Sequence, residues 1–353
     1  MAGDKPLGGR ARKRRGSPGV SQEQVATRAG VSTATVSRFL NNPELVSKRS
    51  RAAVDLAIEE LGYIPDGAAR ALASRRSHTI GAVVPTLDNP IFAVGIQGLQ
   101  SRLKQRGYTL LVASHEYDLD EELKEVRTIL QQGVDGLMLI GASHHATVAE
   151  LIRGKSVPFV YCWTFDPAST EPCIGFDNRK AASLVTRHLL DLGHRYIAVI
   201  AGYQRDNDRA AERLAGALDS IRDHGLDVPR QRILERPYTV AGGRDAMRVF
   251  LDQADPPTAV ICGNDILALG ALAECRARGI QVPREMSVVG FDDLEISAQL
   301  DPALTTIHVP AAEMGRRTAD FLLAQIGNEN MPWRQEIAVQ LMLRDTTAAP
   351  PGR

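Results

Sequence analysis

Asn89, Phe92, Trp163, Arg213, Asn264, Phe291 and Asp292 are the side chains of this chain whose types and places suit ligand chemistry. All but Arg213 stand just past a short apolar run that reads as a buried strand. Asn89 and Phe92 follow IGAVV, Trp163 and Phe165 follow VPFVY, Asn264 and Asp265 follow PTAVIC, and Phe291 and Asp292 follow MSVVG. Arg213 opens the run RLAGAL. Arg donates hydrogen bonds, Asp accepts them, Asn does both, and the aromatic rings offer flat apolar faces. That mixture suits a hydroxyl-rich molecule such as a sugar, held at strand ends with rings stacked against it. Plainer roles stand beside this one: Asp265 and Asp293 as helix caps, Phe291 as core. For Asp265 the cap is the preferred reading.

The usual signatures of catalysis are missing. No G-x-G-x-x-G opens a helix after the first strand. Val84 is followed instead by PTLDNP, which supplies no glycine cradle for a phosphate. There is no G-x-x-x-x-G-K-[ST], no H-E-x-x-H and no G-x-S-x-G. Asp292-Asp293 has no matching nucleophile or base nearby. His144-His145 lies in a polar segment without a third ligand, so it reads as solvated rather than metal-binding. The expectation is a chain with no catalytic residues, no metal and no cofactor.

A second set of residues lies near the N-terminus, in VATRAGVSTATVSRFLNN, residues 25–42. It reads as a helix, a tight turn and a second helix. Gly30 supplies the positive φ at which the first helix stops. Ser32 caps the second helix. Val36, Phe39 and Leu40 form its apolar stripe. Thr33, Ala34, Ser37 and Arg38 fall on the opposite face. Small polar groups and one Arg held outward at a helix N-terminus suit entry into a DNA major groove.

Charge and composition agree with that division. The chain has 353 residues, is 44% hydrophobic and carries no formal net charge. Residues 1–77 hold 14 Lys and Arg against 7 Asp and Glu, a net +7, and the remainder holds 28 against 35, a net −7. A basic head on an acidic body is what a nucleic-acid module joined to another domain looks like. Residues 1–18, with Arg12-Lys13-Arg14-Arg15, read as a disordered basic arm, either a solubilising tail or an extra phosphate contact. Cys162, Cys173, Cys262 and Cys275 show no C-x-x-C spacing and read as reduced thiols of a cytoplasmic protein; a Cys162–Cys173 disulfide is unsupported. No apolar run is long enough to span a membrane, and no signal-peptide core is present.

Positioning follows from the elements. A third helix runs from Lys48 to Leu61, and residues 19–64 form the helix-turn-helix domain. Residues 65–77 read as a hinge helix of about two turns, marginal alone in water and disordered until supported. Within it Ala69 is small enough for close helix pairing, and Leu72 suits a minor-groove wedge. From His78 the pattern becomes strands alternating with helices, which implies parallel sheets covered on both faces. The rhythm restarts after residue 175. The fold class is therefore an all-α helix-turn-helix head plus hinge helix, then an α/β body of two similar parallel-sheet lobes with a cleft at their strand ends.

The motifs in order, VATRAGVSTATVSRFLN, EELGYIP, AARALAS, IGAVVP, NPIF, VDGLML, FDN, LGHRYIAVI, RLAG, PTAVICGNDILALGAL, VPREMSVVGFDD and LTTIHVP, resemble the lactose-repressor/galactose-repressor (LacI/GalR) family of bacterial transcription regulators. The likeness runs from Val20 to about Thr346.

The resemblance implies a repressor that binds a near-palindromic double-stranded DNA operator as a homodimer. It places Ser32, Thr33, Ala34, Thr35, Ser37, Arg38 and Asn41 on DNA, with Thr33, Ala34 and Arg38 reading bases. Ala69 and Leu72 would lie on a hinge helix ordered by DNA, with Leu72 levering a base step. It implies a small, sugar-like effector, a sugar or sugar acid, held between lobes like those of periplasmic sugar-binding proteins. Chain crossings fall near Phe176, near Ile307 and near the C-terminal strand, giving an N-lobe of 78–175 with 308–338, a C-lobe of 176–307 with 339–346, and a tail from 347. The chain departs from the family's pattern in three places. Asp66 and Gly67 weaken the hinge helix. Cys162 replaces an acid. Asn207 stands where purine-binding members carry a basic residue, which argues against a nucleobase. The rivals are a sugar-binding transport protein, which a basic head does not fit, and a nucleotide-dependent enzyme, which lacks its phosphate loop.

Overall fold

The computed structural model describes residues 20–64 and 76–352. The chain separates into two compact units, residues 1–77 and 78–353. The expected hinge residues Ala69 and Leu72, with the basic arm, lie outside the described residues.

In the first unit, α1 (Gln22–Ala29) starts at Ser21, whose side chain accepts from the Gln24 amide while the Gln24 side chain returns to the Ser21 amide. This reciprocal capping box satisfies two helix-end donors at once. Gly30, at φ 65°, ends α1 in the left-handed conformation. A β-carbon there would cost about 1 kcal/mol in backbone strain. Ser32 then caps α2 (Thr33–Asn41), and Ser47 caps α3 (Lys48–Leu61). Val25, Ala26, Val36, Val54 and Ala57 form the core that holds the three helices, with Phe39, Leu40 and Ile58 packed against it.

In the second unit the central strands are short apolar runs buried on both faces, as parallel sheets require, while the edge strands Thr109–Ser114, Ile233–Glu235 and Arg334–Glu336 are partly exposed. The first lobe is a six-stranded sheet. Its chain order is β1 (Thr79–Val84), β2 (Thr109–Ser114), β3 (Gly136–Ile140), β4 (Phe159–Cys162), β5 (Cys173–Gly175) and, far downstream, β11 (Arg334–Glu336). Its spatial order is β11-β5-β4-β3-β1-β2, all parallel. Helices α4 (Pro90–Lys104), α5 (Leu119–Gln131) and α6 (Val148–Gly154) connect these strands, and α11 (Ala311–Ile326) packs on α4. The second lobe is a four-stranded parallel sheet, β7-β6-β8-β9, of β6 (Ile197–Ala201), β7 (Ile233–Glu235), β8 (Ala259–Cys262) and β9 (Ser287–Val289). Around it α7 (Asn178–Asp191) packs on α8 (Asp208–Asp223), and α9 (Val240–Leu251) packs on α10 (Asp265–Ala277).

The chain passes between lobes three times. One passage follows β5. The other two are the strands β10 (Thr306–His308) and β12 (Gln340–Met342), which pair antiparallel with each other. After β12 the chain returns to the second lobe, where the Val288 amide donates to the Thr346 carbonyl at 2.9 Å. Loops at the strand ends of both lobes therefore face one cleft. The four cysteines are buried and free.

Candidate functional site

Helix α2 presents one side to the core and the other to solvent. Thr33, Ala34 and Arg38 are exposed, while Val36 is fully buried. The Ser32 hydroxyl is engaged within the turn: it accepts from the Thr35 amide at 3.1 Å and bonds the Thr35 hydroxyl at 2.9 Å. Ser32 and Thr35 thus shape the helix start, and Ser37 is partly buried. Asn41 ends α2; its side chain lies outside the described residues.

In the body, five of the seven expected ligand residues line one inner pocket. Asn89, Phe92, Trp163, Arg213 and Asp292 meet there, together with Ile91, Tyr117, Asn207, Arg209 and Tyr238. Asn89 also caps α4 through a bond to the Ile91 amide. Phe92 meets Trp163 edge-on at 5.6 Å between ring centroids. Arg213 reaches in from the start of α8. Its Nε donates to Asn178 Oδ1 at 2.9 Å, its Nη1 donates to the Gly263 carbonyl at 3.0 Å, and Nη1 stands 3.8 Å from Asp292 Oδ1.

Asp292 is the centre of this arrangement. It is 2% exposed, and neither carboxylate oxygen has a hydrogen-bond partner. Burial pushes its carboxyl up to about 8, against the opposing pull of Arg213. The Trp163 indole N–H is likewise buried and unpartnered. Asp292, Trp163 and Tyr117 all hold positive φ, at 120°, 62° and 64°. Such strain in non-glycine residues persists where surrounding structure imposes it, and it clusters at ligand clamps. A carboxyl group and an indole N–H, both desolvated and without hydrogen-bond partners, make a site that gains by receiving a hydroxyl-bearing molecule, because leaving such groups unpaired is costly.

The other two expected residues sit elsewhere. Asn264 caps α10, its Oδ1 accepting from the Leu267 amide at 2.9 Å. Phe291 has Arg213 stacked over it at 3.8 Å and Phe176 packed at 6.0 Å, so its ring supports the guanidinium rather than lining the inner pocket.

Several plainer expectations change. Asp265 does not cap its helix, since Asn264 does. It is fully buried and accepts from the Leu294 amide and the Ser297 and Thr306 hydroxyls. Asp293 caps nothing either: it pairs with Arg344 at 2.6 Å and with His308 at 2.9 Å, tying the Asp292 loop to the crossover segments. His144 is not solvated. Its Nδ1 bonds Glu122 at 2.7 Å and its Nε2 faces the Gly141 carbonyl at 3.0 Å. Cys162 turns its thiol to Thr318 at 3.1 Å. Asn207 does not leave the cleft without a basic group at this point, because Arg209 lines the pocket two residues on and donates across the cleft to the Ile140 carbonyl at 3.0 Å.

Sequence reasoning missed Tyr117, Arg209 and Tyr238. Tyr117 follows β2 and Tyr238 follows β7, so the same strand-end rule that found Asn89 reaches both.

Comparison with known proteins agrees with both halves. Residues 23–66 match the family model "Bacterial regulatory proteins, lacI family", and residues 186–347 match a periplasmic binding protein-like domain. The HTH-type transcriptional repressor CytR of Escherichia coli (strain K12) is 33% identical over 94% of this chain and 97% of its own length. The ribose operon repressor of the same strain is 35% identical over 91% of this chain and 96% of its own. The lac repressor dimer solved with operator and the anti-inducer ONPF superposes with a TM-score of 0.82, at 29% identity, over 94% of this chain and 99% of that one. With a capped helix-turn-helix, two parallel-sheet lobes and full-length repressor relatives, the chain belongs to the lacI family of bacterial regulatory proteins.

Proposed function

We propose that this chain is a transcriptional repressor that binds operator DNA as a homodimer through α2 and releases or tightens its hold when a sugar-like effector enters the cleft. The observation that carries the effector half is the trio of buried, unpartnered atoms, Asp292 Oδ1, Asp292 Oδ2 and Trp163 Nε1, in one interlobe pocket. Thr33, Ala34 and Arg38 are the base-reading set, and Ala69 and Leu72 the hinge contacts. Residues 19–64, 65–77 and 78–346 serve as DNA-binding, hinge and effector domains. The ribose operon repressor and the lac repressor bound to operator support this reading by likeness. The role is regulation rather than catalysis.

The test is a selection of bound duplexes from a random DNA pool with the purified full-length protein. Repressor function predicts enrichment of one near-palindrome whose half-sites lie about one helical turn apart. A pool without a consensus after repeated rounds contradicts it.

A further inference from the structure

The loop after β3 is gripped from two sides. Across the cleft, Arg209 at the start of α8 donates to the Ile140 carbonyl at 3.0 Å, and the Asp208 carboxylate accepts from the Ser143 amide at 3.4 Å. Arg209 and Asp208 also pair with each other at 3.1 Å. Gly141, at φ 93°, makes room for them: a β-carbon there would land on the Arg209 guanidinium and against the Asp208 carboxylate. Contact between the lobes at this point therefore depends on the shape of the loop.

Within its own lobe the loop is held by Glu122 of α5, which is 1% exposed. Glu122 Oε2 accepts from the His145 amide at 3.2 Å, and Oε1 meets His144 Nδ1 at 2.7 Å. His144 Nε2 meets the Gly141 carbonyl at 3.0 Å. A carbonyl oxygen only accepts, so Nε2 carries a hydrogen. The 2.7 Å contact needs a proton as well, on Nδ1 or on the carboxyl. Ring and carboxyl together thus hold one proton more than a neutral imidazole beside an ionised carboxylate. Without it, a nitrogen lone pair faces either the Glu122 carboxylate or the Gly141 carbonyl, and one of the two ties is lost.

The neighbours do not supply a substitute. His115 stands 4.0 Å from the same Glu122 oxygen, but burial pushes its imidazole below the ordinary value of 6.5. The Tyr161 ring lies 4.3 Å from that of His144 between centroids, and burial pushes its hydroxyl up to about 12. The His145 ring faces Asp120 at 3.8 Å, and Arg153 of α6 is turned to Glu171.

We propose that this loop is a proton-dependent clasp: the proton shared by Glu122 and His144 sets the loop in the shape that docks on Asp208 and Arg209, so the lobes close on taking it up and open on losing it. The clasp works with the cleft empty. Because the closed form binds the extra proton, the closed fraction falls as pH rises.

The test is fluorescence quenching across the mouth of the cleft in the ligand-free, full-length protein. A bimane dye is attached to the cysteine of Asp88→Cys in the first lobe, and the quencher is the tryptophan of Tyr203→Trp in the second. Both positions line the mouth, and the native cysteines are buried. The titration runs from about pH 5 to about pH 10, which brackets histidine's ordinary value. The labelled protein should lose most of its quenching in one single-proton step. Glu122→Gln should stay quenched throughout, because its amide donates to a neutral Nδ1 and its oxygen still accepts from the His145 amide, with no proton to lose. His144→Ala and Gly141→Ala should be unquenched throughout, the first for want of the ring and the second because the loop no longer fits Arg209. Asp292→Asn should keep the step of the parent, since Asp292 takes no part in the clasp. A signal that stays flat with pH in the parent overturns the proposal. So does a step that survives in Glu122→Gln or vanishes in Asp292→Asn, and so does full quenching in His144→Ala or Gly141→Ala.

Discussion

At the scale of single residues, Arg38 and Asp292 carry the two halves of the account. Arg38 is exposed on α2 with no duty in the head's core. Its truncation to Ala should cost about 1–3 kcal/mol of discrimination between operator and scrambled duplex, read by competition gel shift. An unchanged ratio would remove Arg38 from the base-reading set. Asp292 makes a pH prediction. Its carboxyl is pushed up to about 8 in the folded chain, from an ordinary value of 3.8. Between these values the unfolded chain has lost the proton and the folded chain keeps it. Stability from this group therefore falls as pH rises through that window. Asp292→Asn should flatten this part of the stability–pH curve in thermal melts. Hydroxyls of a bound effector favour the ionised carboxylate, so effector affinity should rise with pH and level off above about 8, with release of a proton below it, seen as buffer-dependent binding heats. The Asn variant should lose that dependence and about 10-fold or more in affinity. Asp292 was legible from its type just past a strand, and Arg38 from its place on the outward face of α2. Asp265 and Asp293 were not, because their partners, Thr306, His308 and Arg344, are distant in sequence and meet only through the crossovers.

At the scale of elements, legibility follows the range of the signal. The head declares itself within twenty residues: a capping Ser, a left-handed Gly and an apolar stripe are all local. Strands β1, β3, β4, β6 and β8 are apolar runs that stand out unaided. Strands β5, β10, β11 and β12 have three residues each, too few to show a period, and their partners lie far along the chain. Helix pairing is another hidden feature. Where α4 meets α11, an added β-carbon on Gly98 would fall 2.3 Å from the Ala312 carbonyl oxygen, and one on Gly315 would fall 2.0 Å from the Gly95 carbonyl oxygen. The helices touch backbone to backbone. Gly98→Ala should force them apart and cost about 1–3 kcal/mol, lowering Tm by roughly 2–10 °C by calorimetry. A Tm equal to that of the parent chain would show that the contact relaxes without strain.

At the scale of the whole molecule, the uneven charge is the plainest property. Residues 1–77 carry a net +7 and the rest a net −7. Operator affinity should therefore fall steeply with salt, each phosphate contact contributing a slope of about −0.9 in log K against log salt concentration. A flat salt response would argue against a phosphate-bound head. Regulation requires more than two binding sites, however. An effector moves the operator equilibrium only if its affinity differs between the DNA-competent and DNA-incompetent states. In the body, the Asp292 loop is joined by Asp293 to both crossover segments, and Arg209 closes onto the opposite lobe at Ile140. A ligand that engages Asp292 must disturb or reinforce these ties. The most direct measurement is the operator dissociation constant of the full-length protein, by fluorescence anisotropy at fixed salt, without and with a saturating cleft ligand. The account predicts a change of about 5- to 150-fold, lost in Asp292→Asn, with operator DNA altering ligand affinity by the same factor. An operator constant that stays the same at ligand saturation would contradict it.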